Sequence, residues 1–128
     1  MRNFYFLQIP LGTDAAYLPQ AVGTIWSYCN QFEEVRKRYK LAGVWWNKEI
    51  DIVEPDFIAA SCYMWNWKIT YDALKEIRKK YPKCRIVVGG PEPQYTSEWC
   101  KKHPEIDAVI AYYGEETMRR LLVDDELN

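Results

Sequence analysis

Three short apolar runs constrain this chain more than any other feature: residues 55–62 (PDFIAASC), 85–88 (RIVV) and 107–111 (DAVIA). Each is continuous rather than alternating with polar residues, so each reads as a strand buried on both faces. Helical segments separate them. Residues 67–81 place Ile69, Leu74 and Ile77 on an inward face and end in cations, which the helix dipole favours at a C-terminus. Residues 94–102 read as a short helix, and Gly114-Glu115-Glu116-Thr117 opens a last one through residue 122. Upstream, residues 3–9 (NFYFLQI) form a first strand ended by Pro10 and Gly12. A helix follows from Pro19, with Val22, Ile25, Trp26 and Cys29 at helical spacing. Residues 33–40 (EEVRKRYK) extend that helix or form a second charged segment, and residues 41–46 (LAGVWW) make a short edge strand. Between that strand and the next there is room for a helical turn or two.

Strands alternating with helices predict a mostly parallel sheet covered on both faces. Right-handed crossovers leave few topologies; the common one for five strands is the flavodoxin-like (Rossmann-like) order 2-1-3-4-5. One α/β domain over residues 1–123 is expected, followed by a polar tail at 124–128.

Bulk chemistry removes several classes of function. The 17 basic and 18 acidic residues nearly balance, against a nucleic-acid footprint or a polybasic membrane patch. No apolar run reaches membrane-span length and the start carries no signal-peptide pattern, so a soluble cytoplasmic protein is expected. Cys29, Cys62, Cys84 and Cys100 are scattered with no close pair, which leaves no zinc or iron–sulfur ligand set. Six Trp and ten Tyr are many for so small a chain, and such residues favour surfaces that bind something flat.

In this topology a ligand lies outside the carboxyl ends of the strands, where strands 1 and 3 part. That gathers Leu11, Gly12 and Thr13 after strand 1, Ser61 to Trp67 after strand 3, and Gly89, Gly90, Pro91 and Glu92 after strand 4. No phosphate-cradling glycine motif occurs among them. They make a broad mouth with a glycine floor and a wall of Tyr63, Met64, Trp65 and Trp67, suited to a large, flat, mostly apolar ligand. Gly89-Gly90 either only makes a turn or leaves space for something that is not protein. Gly114 to Thr117 likewise has two readings, a ligand contact or carboxylates complementing a helix dipole.

The strings PDFIAASCYMWNW, RIVVGGPEP and YYGEET, together with AAYLPQAVGTIWSYC, resemble the N-terminal cobalamin-binding domain of B12-dependent radical SAM enzymes. The resemblance covers nearly the whole chain. It implies a corrin over the strand ends and a nucleotide tail threading beside Gly89 and Gly90, where any Cβ would intrude. Ser61 would hydrogen-bond that tail, with Cys62 beside it in the cofactor site; Tyr63, Met64, Trp65 and Asn66 would line the corrin's edge, and Gly114 and Glu115 would close the site. The chain has no CxxxCxxC, so the resemblance implies no iron–sulfur cluster here. A module that is not catalytic alone is expected, served by a separate radical SAM domain or protein partner. The rival reading is an interaction module of the same fold that has lost cobalamin. DxHxxG, a cobalt-ligating motif of other cobalamin domains, is also missing, since the first loop offers Asp14 but no histidine. His103, the one histidine, precedes strand 5, which at five residues would span roughly 17 Å. It is therefore expected at the amino edge, solvated and out of reach, which leaves a bound cobalamin base-off and His-off.

Overall fold

The computed structural model describes residues 1–9, 20–46, 49–94, 96–110 and 114–123. At its centre runs β3 (Phe57–Ser61), every residue of which is buried, as its unbroken apolar sequence requires. β1 (Arg2–Leu7) and β4 (Arg85–Gly89) pair with it in parallel on either side. β2 (Tyr39–Trp45) forms one edge and the two-residue β5 (Ala108–Val109) the other, giving the order β2-β1-β3-β4-β5 with every pair parallel. The expected flavodoxin-like architecture is the observed one.

Side chains alternate across this sheet and so build two cores. Phe4, Phe6, Phe57, Ala59 and Val87 face α1 (Gln20–Cys29), α2 (Glu33–Arg38) and α5 (Gly114–Val123), meeting Ile25, Cys29, Val35, Met118 and Leu122. Tyr5, Leu7, Ile58, Ala60, Ile86 and Val88 face α3 (Trp67–Lys80) and α4 (Ser97–Lys102). Burying a side chain such as Phe57 or Ile58 contributes about 1.5–3 kcal/mol apiece.

Three local features depart from the sequence reading. On α3 the inward face is Thr70, Leu74 and Ile77, while Ile69, expected inside, is exposed because it lies one residue out of that register. Helix α4 starts at Ser97 rather than 94, since the Thr96 hydroxyl caps it by accepting from Trp99 N at 3.2 Å. β5 is shorter than the expected five residues, although Asp107 N→Ile86 O and Ile110 N→Val88 O, both 2.8 Å, continue its contact with β4.

Among the described residues no helix covers β1 on the crossover from β2 to β3. An extended segment does so instead, with Ile50 and Ile52 packed on the α3 face. The Tyr5 hydroxyl fixes it, donating to Val53 O at 3.2 Å and accepting from Val53 N at 3.1 Å. Tyr81 Oη donates to Ile52 O, and Asn3 Nδ2 to Glu54 O, both at 3.2 Å. No helix among the described residues is long and apolar enough to cross a membrane.

Candidate functional site

The last rung of the central ladder pairs Ser61 with Gly89. Strand alternation puts Ala59, Ser61, Val87 and Gly89 on the face covered by α1 and α5. Small residues there leave space between the sheet and the helices unfilled. The result is a cleft of about 200 Å³ at the carboxyl end, floored by Phe6, Ala59, Ser61, Val87, Gly89 and Ile110 and walled by Ile25, Gly114 and Met118. Tyr63 and Gly90 stand at its mouth. Ser61 lines the cleft, and no hydrogen bond joins its hydroxyl to another described residue.

The two glycines have different reasons to be glycine. Gly90 has φ +99°, and a Cβ there would sit 2.4 Å from Cys62 O and 2.9 Å from Cys62 N. Its turn is strapped to β3 by Cys62 N→Gly89 O at 2.8 Å and Glu92 N→Cys62 O at 3.2 Å. Gly90 is therefore required by the turn, which corrects the expectation that ligand contact alone demands it. At Gly89 the nearest atoms to a Cβ would be Ile110 O at 3.6 Å and Ile110 Cβ at 3.8 Å, ordinary contacts. The protein itself tolerates alanine there, so the missing side chain leaves open cleft.

The loop after β3 divides its residues between support and display. Asn66 is fully buried: its Nδ2 donates to Ile9 O at 3.1 Å and Ser61 O at 3.3 Å, and its Oδ1 accepts from Tyr63 N at 2.7 Å. Its side chain ties the ends of β1 and β3 together and positions the loop. Cys62 is buried in the α3-side core, away from the cleft, and burial pushes its thiol up to about 12. Tyr63 and Trp65 stack at 5.3 Å, and Met64 and Trp65 are 83% and 45% exposed, an apolar display at the rim. Pro91 is exposed and Glu92 half-buried on the turn beside them. Leu11, Gly12 and Thr13 lie outside the described residues.

Trp67 leaves the rim. It stacks on Tyr71 at 5.1 Å and meets Trp99 and His103 at 5.5 and 5.4 Å. His103, expected to be solvated at the amino edge, instead packs half-buried against the first turns of α3. It stacks on Trp99 at 3.9 Å, its Nδ1 lies 2.7 Å from Trp99 O, and it meets Tyr71 edge-on. The six-residue α4 and the shortened β5 put it there. It lies on the opposite face of the sheet from the cleft.

Across the cleft, α1 and α5 are latched through Glu116, read from the sequence as a ligand contact or a dipole-complementing carboxylate, by Tyr28 and Arg119, which the sequence reading did not single out. Tyr28 Oη donates to Glu116 Oε2 at 2.5 Å, Arg119 pairs with the same carboxylate, and the Arg119 guanidinium lies 4.9 Å over the Phe32 ring. Hydrogen bonds from Arg119 and Tyr28 hold Glu116 down at about 2, while its carboxylate raises Tyr28. The i, i+3 spacing of Glu116 and Arg119 was the available signal; Tyr28 left none. Glu115 offers its backbone carbonyl to Cys29 Sγ at 3.7 Å, with its side chain half-buried. No cluster of three or more metal-ligating side chains occurs among the described residues.

Comparison with known proteins agrees with this geometry. The family model for the B12 binding domain matches residues 48–122, more than half of the chain. The cobalamin-dependent radical SAM methyltransferase TokK of Streptomyces tokunonensis is 30% identical over 128 residues, covering 94% of this chain and 18% of that protein. The 2-(S-pantetheinyl)-carbapenam-3-carboxylate methyltransferase of Streptantibioticus cattleyicolor is 28% identical over 132 residues, covering 96% of this chain and 19% of its own length. The chain thus spans about a fifth of these curated relatives. With a parallel 2-1-3-4-5 sheet, a glycine-floored cleft at its carboxyl end and this match, the chain belongs to the B12 binding domain family.

Proposed function

We infer that this module holds cobalamin base-off and His-off, with the nucleotide tail in the cleft beneath α1 and α5 and the corrin over the rim. Gly89 carries this reading. Its neighbours would accept a Cβ, yet the position is bare, and Ser61, its partner in the last rung, lines the same cleft. A cleft of about 200 Å³ is smaller than the roughly 300–1,000 Å³ of whole-ligand pockets, so it suits one arm of a larger molecule. Ser61 would donate to or accept from the tail, Tyr63 would close the mouth, and Met64 and Trp65 would lie against the apolar edge of the corrin. Asn66 and Gly90 would keep the two loops in place.

Bound cobalamin would supply a cobalt centre able to carry a methyl group; both relatives are named as methyltransferases, and TokK as cobalamin-dependent. This chain's residues bind and orient it. Their product is a presented corrin face, offered to a radical SAM domain that performs the transfer. His103 has no part in holding cobalt, since its ring is packed among Trp67, Tyr71 and Trp99 on the other face of the sheet. Electron paramagnetic resonance of the cob(II)alamin complex tests this: no nitrogen superhyperfine splitting is expected. Splitting that disappears in His103→Ala would contradict the assignment.

A further inference from the structure

Three side-chain polar atoms among the described residues are shut off from solvent with no hydrogen-bond partner: Asn3 Oδ1, Gln8 Oε1 and Thr70 Oγ1. Each such atom costs stability until a partner meets it. Asn3 stands at the amino end of β1, and Thr70 faces inwards on α3. Gln8 is placed differently. Leu7 and Ile9 on either side of it pack into the α3 core, so alternation turns Gln8 to the face of Phe4 and Phe6, beneath α1 and α5. The β1–β3 register ends at Leu7↔Ala60, which sets Gln8 beside Ser61, and Ser61 in turn pairs with Gly89. One row at the carboxyl end of the sheet therefore carries an amide, a hydroxyl and a bare glycine, on neighbouring strands about 4.8 Å apart. Gln8 is 8% exposed, and its N–H donates to Trp45 O at 2.8 Å, which anchors the main chain and leaves the side chain to move.

We propose that Gln8 is a further ligand-binding residue: its carboxamide oxygen accepts a hydrogen bond from a ribose hydroxyl of the corrinoid's nucleotide arm. This rests on the reading that the arm occupies the cleft. Gln8 lies one strand beyond the residues that outline the cleft, towards β2, and its unbranched side chain reaches the Ser61 end by a change of rotamer. An unpaired oxygen calls for a donor. Beyond the linker that joins it to the corrin, the nucleotide arm has donors only in its ribose hydroxyls; the phosphodiester and a dimethylated benzimidazole offer acceptors alone. The buried oxygen is a burden to the free protein, and a ligand hydroxyl relieves it, so this hydrogen bond favours binding more than an exposed one would.

The test compares wild type with Gln8→Met, which keeps the length of the side chain and removes its polar atoms. Thermal melting of the corrinoid-free proteins reads the burden of the unpaired oxygen, and the variant is expected to melt no lower than wild type. A lower midpoint would show that the fold itself uses the carboxamide and would overturn the assignment. Titrations followed by corrin absorbance read the contact, using hydroxocobalamin and cobinamide, which keeps the linker but lacks phosphate, ribose and base. The variant should bind hydroxocobalamin about three- to tenfold more weakly, and cobinamide within about twofold of wild type. Hydroxocobalamin affinity unchanged by the substitution, where wild type holds hydroxocobalamin more tightly than cobinamide, would overturn the role of Gln8 and leave the arm in the cleft. An equal loss for both corrinoids would move the contact to the corrin ring and overturn the ribose assignment. Wild type binding cobinamide as tightly as hydroxocobalamin would remove the arm from the cleft and overturn both readings.

Discussion

Two adjacent glycines should respond oppositely to the same added methyl group. At Gly90, alanine must adopt φ +99°, which for a side chain costs about 1–2 kcal/mol. Its Cβ would also lie 2.4 Å from Cys62 O, so the turn must move away from β3. That movement puts at risk Cys62 N→Gly89 O and Glu92 N→Cys62 O, at about 0.5–1.5 kcal/mol each. The sum is a loss of about 2–5 kcal/mol, or about 8–20 °C in melting midpoint at roughly 4 °C per kcal/mol. Gly89→Ala meets only ordinary contacts and should stay within about 1 kcal/mol of wild type. Its methyl group intrudes on the cleft floor, and overpacking at about 1–3 kcal/mol corresponds to a roughly 5- to 150-fold loss of hydroxocobalamin affinity. Urea unfolding followed by circular dichroism, paired with corrin titration, reads both effects. A Gly90→Ala protein as stable as wild type, or a Gly89→Ala protein as destabilised as Gly90→Ala, would refute the division.

Other parts of the structure give further expectations. Asn66→Ala should cost about 3 kcal/mol in urea unfolding, because the buried Ile9 O and Ser61 O and the half-buried Tyr63 N lose their shared partner; a loss below 1 kcal/mol would deny it the tying role. Tyr5→Phe strips both hydrogen bonds to Val53 and should destabilise by about 1–3 kcal/mol while leaving the cleft intact, checked by unfolding and by unchanged corrinoid affinity. The Glu116 carboxyl sits at about 2 when folded, against 4.5 for an ordinary glutamate, so its contribution is complete above pH 4.5 and lost as pH falls towards 2. The stability difference between wild type and Glu116→Gln should therefore shrink over that range, and a difference constant with pH would contradict the latch.

The sheet was legible because buried parallel strands write themselves as unbroken apolar runs. PDFIAASC, RIVV and the flanking helices sufficed for the strand order without any contact information. The loops were legible as a location, since topology alone collects the carboxyl ends of neighbouring strands. The division of labour within them was not. Gly89 and Gly90 are identical letters, separated only by a backbone angle and by which neighbour a Cβ would meet. Asn66 looks like any polar loop residue until its three partners surround it. His103 was misplaced because its height was counted along a five-residue strand, whereas β5 has two residues and α4 ends after six. The cleft's inner wall comes from Ile25 and Met118, whose helical spacing marks them as core and hides that they border a gap.

The central claim is that the cleft at the Ser61–Gly89 rung holds cobalamin, and equilibrium dialysis of hydroxocobalamin against the purified chain tests it most directly. The account predicts saturable retention of one corrinoid per chain. No retention at high micromolar protein would contradict it.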